Sequence, residues 1–157
     1  MGQHAGTIYS IAFSPDGKTV ATISRDATAN LWDAANGQLR ATLRGHQLRM
    51  RQMAFSPDGR ILATGNEDES ARLWDVSRGK LIAILPAHKD TVWSISFSQD
   101  SRLVATASGK IAKLWDAQTG DLKQTLDGMR RPIAFSPVAR VLATATKDGS
   151  VVLWDVP

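Results

Sequence analysis

Cysteine is absent from the 157 residues. That excludes disulfides and thiolate-held zinc or iron–sulfur sites. It also makes a cytoplasmic address the expectation, because nothing asks for an oxidising compartment. No apolar run approaches the roughly 20 residues of a membrane-spanning helix, so no membrane partner is expected. The opening MGQHAGTIYS has neither a basic lead nor an apolar core, so it does not read as a secretory signal. Gly6 stands where a myristoylation pattern wants Ser or Thr. No five basic residues run together, although Lys and Arg number 19 against 15 acids for a net charge of +4. The excess reads as charge spread over solvated loops, and a nucleic-acid partner is not the expectation. HExxH, P-loop and GxSxG signatures are missing too. The chain therefore reads as no enzyme, with no cofactor and no metal.

What is present is the composition of a globular protein, 43% hydrophobic and 22% charged, with the length of one domain. Within it lies a repeat. Trp-Asp recurs at Trp32-Asp33, Trp74-Asp75, Trp115-Asp116 and Trp154-Asp155. The phrase AFSP, or its relative SFSQ, begins at Ala12, Ala54, Ser96 and Ala134. His4, His46 and His88 each precede the Phe of that phrase by the same interval. All three histidines and four of the five tryptophans thus belong to the repeat, leaving only Trp93 outside it.

Each unit has one inner order. TIYSIAFS (7–14) alternates as a strand, and SPDG (14–17) follows as a tight turn. KTVATIS (18–24) is a second strand, RDAT (25–28) a turn and ANLWDA (29–34) a third strand. ANG (35–37) turns again into QLRATL (38–43), the fourth. Four short antiparallel strands in about 40 residues form a meander blade, and a series of blades forms a propeller.

With GH at Gly45-His46, FSPDG at 55–59 and LWD at 73–75 recurring in phase, the chain resembles the WD-repeat (WD40) propeller family along its whole length. The expected fold is all-β: one domain over 1–157, with blades at about 5–44, 47–86, 89–127 and 130–157. The last blade lacks its outer strand. The resemblance implies a polar network in each blade that joins a loop His, a turn Asp, a second-strand Thr and the Trp indole. The positions are His4, Asp26, Thr22 and Trp32 in the first repeat, and His46, Asp68, Thr64 and Trp74 in the second. His88, Thr106 and Trp115 follow in the third, and Thr144, Asp148 and Trp154 in the fourth. A buried indole N–H needs an acceptor. A His, an Asp and a Thr could also suggest a catalytic triad, but a constellation repeated in every blade is a structural staple.

The repeats decay along the chain. The third is one residue short, the turn Asp is what is missing, and His88 is expected to lack its partner. In the fourth, Met129 stands near the place of the His, and Pro132 enters the first strand, where Pro removes a ladder donor. Repeats 3 and 4 are therefore expected to be the softer half. The sequence closes on VVLWDVP (151–157), read as a third strand whose edge Val156 and Pro157 blunt. Four blades leave an open arc with two bare apolar faces. A homodimer that completes an eight-bladed ring, or a place in a larger assembly, would cover them.

In this family, binding belongs to the faces and the central mouth of the ring. Tyr9, Arg51, Trp93 and Arg131 fall at one equivalent position before the first-strand Phe. Arg49, Lys89 and Arg130 flank them. Aromatic and Arg residues are favoured in interaction hot spots. The same residues could instead fill the channel and rim. The function that the resemblance implies is a scaffold module for a protein or peptide partner. Its rivals are a half-propeller that binds only itself and a nucleic-acid binder using the Arg-rich mouth.

Overall fold

In the computed structural model, residues 3–86 and 88–156 are described. Pro157 and the outer boundaries at 1 and 157 therefore lie outside the described residues. Fifteen strands follow in order: β1 (Ile8–Phe13), β2 (Thr19–Ser24), β3 (Ala29–Asp33), β4 (Leu39–Leu43), β5 (Met50–Phe55), β6 (Ile61–Asn66), β7 (Ala71–Asp75), β8 (Lys80–Leu85), β9 (Ser94–Phe97), β10 (Leu103–Ser108), β11 (Ile111–Asp116), β12 (Leu122–Asp127), β13 (Met129–Phe135), β14 (Val141–Thr146) and β15 (Val151–Asp155). They form four antiparallel meander sheets, β1–β4, β5–β8, β9–β12 and β13–β15. There is no helix among the described residues.

The turns explain why the strands begin where they do. Ser14 Oγ accepts from Thr19 N at 2.9 Å and donates to Asp16 Oδ1 at 2.6 Å, which closes the SPDG turn. Ser56 with Asp58, and Ser98 with Asp100, repeat that clamp. The fourth repeat has Val138 where the Asp would stand, and Ser136 Oγ instead accepts from the Val138 and Ala139 amides.

Adjacent sheets stack face to face over three apolar cores. Leu31 and Met53 share the core between the first and second sheets. Leu73 and Ile95 share the next, and Leu114 and Ile133 the third. Each such side chain contributes about 1.5–3 kcal/mol by leaving water. The first strands lie side by side along the inner edge, β1 beside β5, β5 beside β9 and β9 beside β13. Polar ties cross the same interfaces. Asp58 N donates to Ser101 Oγ at 3.1 Å, and Phe135 N to Ser96 Oγ at 2.9 Å.

Burial divides the blades into inner and outer rather than early and late. Every residue of β6 and β10 is buried. The third blade is therefore not soft, because neighbouring sheets cover both its faces. The outer blades are the exposed ones. Ile11 of the first is 62% exposed, whereas its equivalents Met53, Ile95 and Ile133 are at 7%, 7% and 5%. Leu153 of the fourth is 68% exposed, against 1% for Leu31 and 0% for Leu73 and Leu114. The arc is open at both ends. Pro132 lies within a register shift between Arg130 and Ile133, so the ladder loses no paired donor there.

Candidate functional site

Two sets of residues recur blade by blade, a buried polar chain and an exposed stack at the inner edge. The polar chain is complete in the first two blades. Trp32 Nε1 donates to Thr22 Oγ1 at 2.9 Å, and that oxygen lies 2.7 Å from His4 Nε2. His4 Nδ1 lies 3.2 Å from Asp26 Oδ2 and 3.0 Å from Thr28 Oγ1. In the second blade Trp74 Nε1 donates to Thr64 Oγ1 at 2.8 Å. His46 Nε2 is 2.9 Å from that oxygen, and its Nδ1 is 3.0 Å from Asp68 Oδ2.

The ends of the chain set its direction. An indole can only donate and a carboxylate can only accept. The Thr64 hydroxyl therefore donates to Nε2 of a neutral His46, and Nδ1–H donates to Asp68. Burial holds His46 below its ordinary pKa, opposed by Asp68 and assisted by Arg72, which keeps the ring neutral. For Asp26, burial pushes the pKa up. Hydrogen bonds from Thr28 and the Ala5 amide, with His4 nearby, outweigh it and bring the value down to about 2. For Asp68, burial likewise raises the pKa, but His46, Ser70 and the Gln47 amide hold it well below the carboxylate range. Such a carboxylate is ionised and fully engaged, with no reason to move protons for a substrate.

The decayed repeats differ from their sequence reading in two ways. His88 does not lack a partner. Its Nε2 is 2.7 Å from Thr106 Oγ1, and its Nδ1 is 2.8 Å from Ser108 Oγ, at the end of β10. Trp115 Nε1 donates to Thr106 at 2.8 Å. The serine replaces the missing Asp from the strand rather than from the turn. With no carboxylate to oppose burial, and with Lys113 adding repulsion, His88 falls to about 4. The second correction concerns Asp148, which does not join a network. It stays in its own turn, holding Thr146 Oγ1 and the Ser150 amide. Trp154 Nε1 donates to Thr144 Oγ1 at 2.9 Å, and the hydroxyl donates to Met129 Sδ at 2.8 Å. A thioether has no N–H to offer, so nothing links Thr144 onward to a carboxylate.

Gly45 of the GH pair shows why that position is small. Its φ is +147°, and an added Cβ would come within 2.8 Å of Arg72 Nη1. Arg72 Nε and Nη1 and Asn30 Oδ1 are buried side-chain atoms without a partner among the described residues.

The exposed set is Tyr9, Arg51, Trp93 and Arg131. Three of the four sit at register shifts of their first strand: Tyr9 between Ile8 and Ser10, Arg51 between Met50 and Gln52, and Arg131 between Arg130 and Ile133. Trp93 occupies the same place just before β9, its amide bonded to Ala107 O at 3.0 Å. A bulge re-aims one side chain out of the alternation. Here it sends Tyr9, Arg51 and Arg131 into a common stack with Trp93. Arg51 Cζ lies 5.2 Å from the Tyr9 ring centre and 5.4 Å from that of Trp93. Arg131 Cζ lies 4.4 Å from the Trp93 centre. Aromatic ring and guanidinium alternate across four blades in cation–π geometry. Glu67 fixes Arg51 from below, accepting from Nε at 2.7 Å and also from Nη2. Glu67 was not singled out from the sequence. Its position just before the turn Asp68 gave no sign that it faces Arg51 and the entry loop of its own blade.

The flanking basic residues are not in the stack. Arg49 is half-buried and offers its carbonyl to the Glu67 amide at 3.1 Å. Lys89 and Arg130 are exposed and, like Arg131 of the stack, have no ion-pair partner among the described residues. Also among those residues, no group of three or more His, Cys, Asp or Glu side chains could hold a metal ion.

Comparison with known proteins agrees with the geometry. The family model described as WD domain, G-beta repeat matches residues 1–33, 37–75, 79–116 and 123–155. The human WD repeat-containing protein 86 is 48% identical over 44 residues, which are 28% of this chain and 12% of that protein. Two solved structures, those of U3-55K and of the RRP9 WD40 repeats, superpose on 99% of this chain with a TM-score of 0.86. Each is 22% identical to it, and the chain spans 51% and 50% of their lengths. At that identity the likeness concerns the fold alone.

Proposed function

The chain belongs to the WD40 repeat family, and from that membership we propose that it acts as a non-enzymatic protein-interaction module. A rigid set of blades presents the Tyr9–Arg51–Trp93–Arg131 stack, with Arg49, Lys89 and Arg130 around it, to a protein or peptide partner. The observation that carries this reading is the stack itself. Four residues from four blades, three of them diverted from their strands by a bulge and Trp93 just before its strand, meet on one surface where two aromatics and the Arg131 guanidinium stay exposed. Core packing needs no such diversion, and rim aromatics and arginines are the residues that anchor interfaces. The two open sheet faces are protein surfaces in the same sense, filled by a second copy or by a neighbour in a larger assembly.

Nucleic-acid binding is less well supported. Bases stack on free ring faces. Two guanidinium groups already lie over the Trp93 ring, and Glu67 sits beside Arg51. The test is capture of partner proteins on the immobilised chain, compared with a Trp93→Ala, Arg131→Ala variant. Partners should be retained by the unaltered chain and lost by the variant, with similar melting temperatures. Retention by the variant, or a steeply salt-dependent affinity for a single-stranded oligonucleotide, would refute the reading.

A further inference from the structure

One rim of the sheets carries the entry loops and the turns between second and third strands, and its charge is uneven from blade to blade. In the second blade that turn is Glu67-Asp68-Glu69, where Glu67 holds Arg51 and Asp68 holds His46. In the third blade it is Gly109-Lys110. Ser108 keeps His88 bonded without a carboxylate, so the missing Asp is made good inside the blade. The difference is left at the surface, where the third blade shows a basic turn in place of an acidic one. Lys110 stands in the middle of a basic patch. A Cβ placed on Gly109 would lie 3.5 Å from Asp90 Oδ2, so the Lys89-Asp90 loop lies against this turn. On the other side Met129 N donates to Lys110 O at 3.0 Å, which brings Arg130 alongside. Arg131 follows, over the Trp93 ring. Lys89, Lys110, Arg130 and Arg131 are all exposed. Asp90 and Asp127 border them, yet none of the four has an ion-pair partner among the described residues. The opposite rim differs, since Arg40, Arg78, Lys123 and Arg140 are each paired there with an Asp.

We propose that this patch receives an acidic peptide segment of a partner protein, with its carboxylates on Lys89, Lys110, Arg130 and Arg131 and its aliphatic carbons against the exposed part of Trp93. The inference rests on the reading of the mouth as a partner surface and names the chemistry of that partner. Unpaired cations gathered on one face set up a field that steers and orients a negative partner. They come from three separate segments, an entry loop, a turn and the start of the next blade. That arrangement suits a run of carboxylates, each meeting one cation. A single phosphate needs several donors converging on one group. Arg131 Cζ lies 4.4 Å from the Trp93 centre, and a guanidinium over a ring face keeps its in-plane N–H groups free for a carboxylate. The patch belongs to the junction of the third and fourth blades and is independent of what covers the two open faces.

Fluorescence anisotropy of a labelled oligoglutamate peptide tests it. The unaltered chain should bind this peptide and leave an oligolysine peptide free. Lys110→Glu and Arg131→Glu should each weaken binding at least about tenfold. Arg102→Glu makes the same change of net charge at the opposite rim and should keep the affinity within about twofold. All three positions are exposed, so the circular-dichroism spectra and melting temperatures should stay close to those of the unaltered chain. The proposal is overturned if the unaltered chain leaves oligoglutamate free, or if Arg102→Glu loses as much affinity as Lys110→Glu. Tighter binding of a neutral peptide with one phosphoserine, or of a single-stranded oligonucleotide, overturns it too. Partner capture that depends on Trp93 and Arg131 but survives Lys110→Glu, without oligoglutamate binding, would sink the acidic segment and leave the mouth as a partner surface. Capture indifferent to Trp93 and Arg131 would remove the reading of the mouth itself.

Discussion

At the scale of single residues, the consequence of the polar chains is set by what each histidine would orphan. His46→Ala leaves the half-buried Asp68 carboxylate without its ring donor and the Thr64 hydroxyl without its acceptor. The expected loss is about 1–3 kcal/mol. His88→Ala leaves two hydroxyls, Thr106 and Ser108, which re-pair more easily, and should cost less. Urea denaturation of both variants checks the order; equal losses would contradict it. The same difference sets a pH dependence. His88 protonates at about 4 in the folded chain against an ordinary 6.5. Its folded value is depressed, so its contribution is complete above about 6.5 and is lost as pH falls from there through about 4. That loss amounts to about 3 kcal/mol. Asp26 acts later, its contribution present above 3.8 and lost as pH falls through about 2. Stability measured between pH 7 and 4 should therefore fall less steeply in His88→Gln than in the unaltered chain.

At the scale of elements, the bulge at the start of the first strand in the first, second and fourth blades connects the fold with the surface. The stacked residues are not equivalent in what holds them. Arg51 is held between Tyr9 and Trp93 and by Glu67, whereas Arg131 touches only Trp93. Arg51→Ala should therefore cost about 1 kcal/mol of stability, and Arg131→Ala less than about half of that. Chemical denaturation measures both. Arg51 thus serves the fold as well as the surface, and Trp93 and Arg131 are the cleaner positions at which to read binding.

At the scale of the whole molecule, the same side chain has two very different values. Leu73→Ala opens a cavity between two sheets and should cost about 2–5 kcal/mol. Leu153→Ala, on an open face, should cost under about 1 kcal/mol in a single arc. In a closed pair its cost becomes dependent on protein concentration. Thermal unfolding at two concentrations separates the cases.

The sequence by itself determined the blades. Alternation and the Ser-Pro-Asp-Gly turns act within about ten residues, and Trp-Asp marks a repeat of about 40, so fifteen strands and the His, Thr and Trp of the polar chains could be read from it. What depends on contacts in space, within a blade or between blades, could not be read that way. Ser108 replaces a turn Asp because a hydroxyl at the end of β10 reaches His88 in space. Asp148 drops out because Met129 cannot donate to it. The third blade is firm because sheets on both sides cover it, a fact about neighbours and not about its own residues. The stack at the mouth needed both levels. Its four members share one position in the repeat, but only the bulges and the stacking of the blades bring ring and guanidinium within about 5 Å of each other, because cation–π contact is a matter of distance in space.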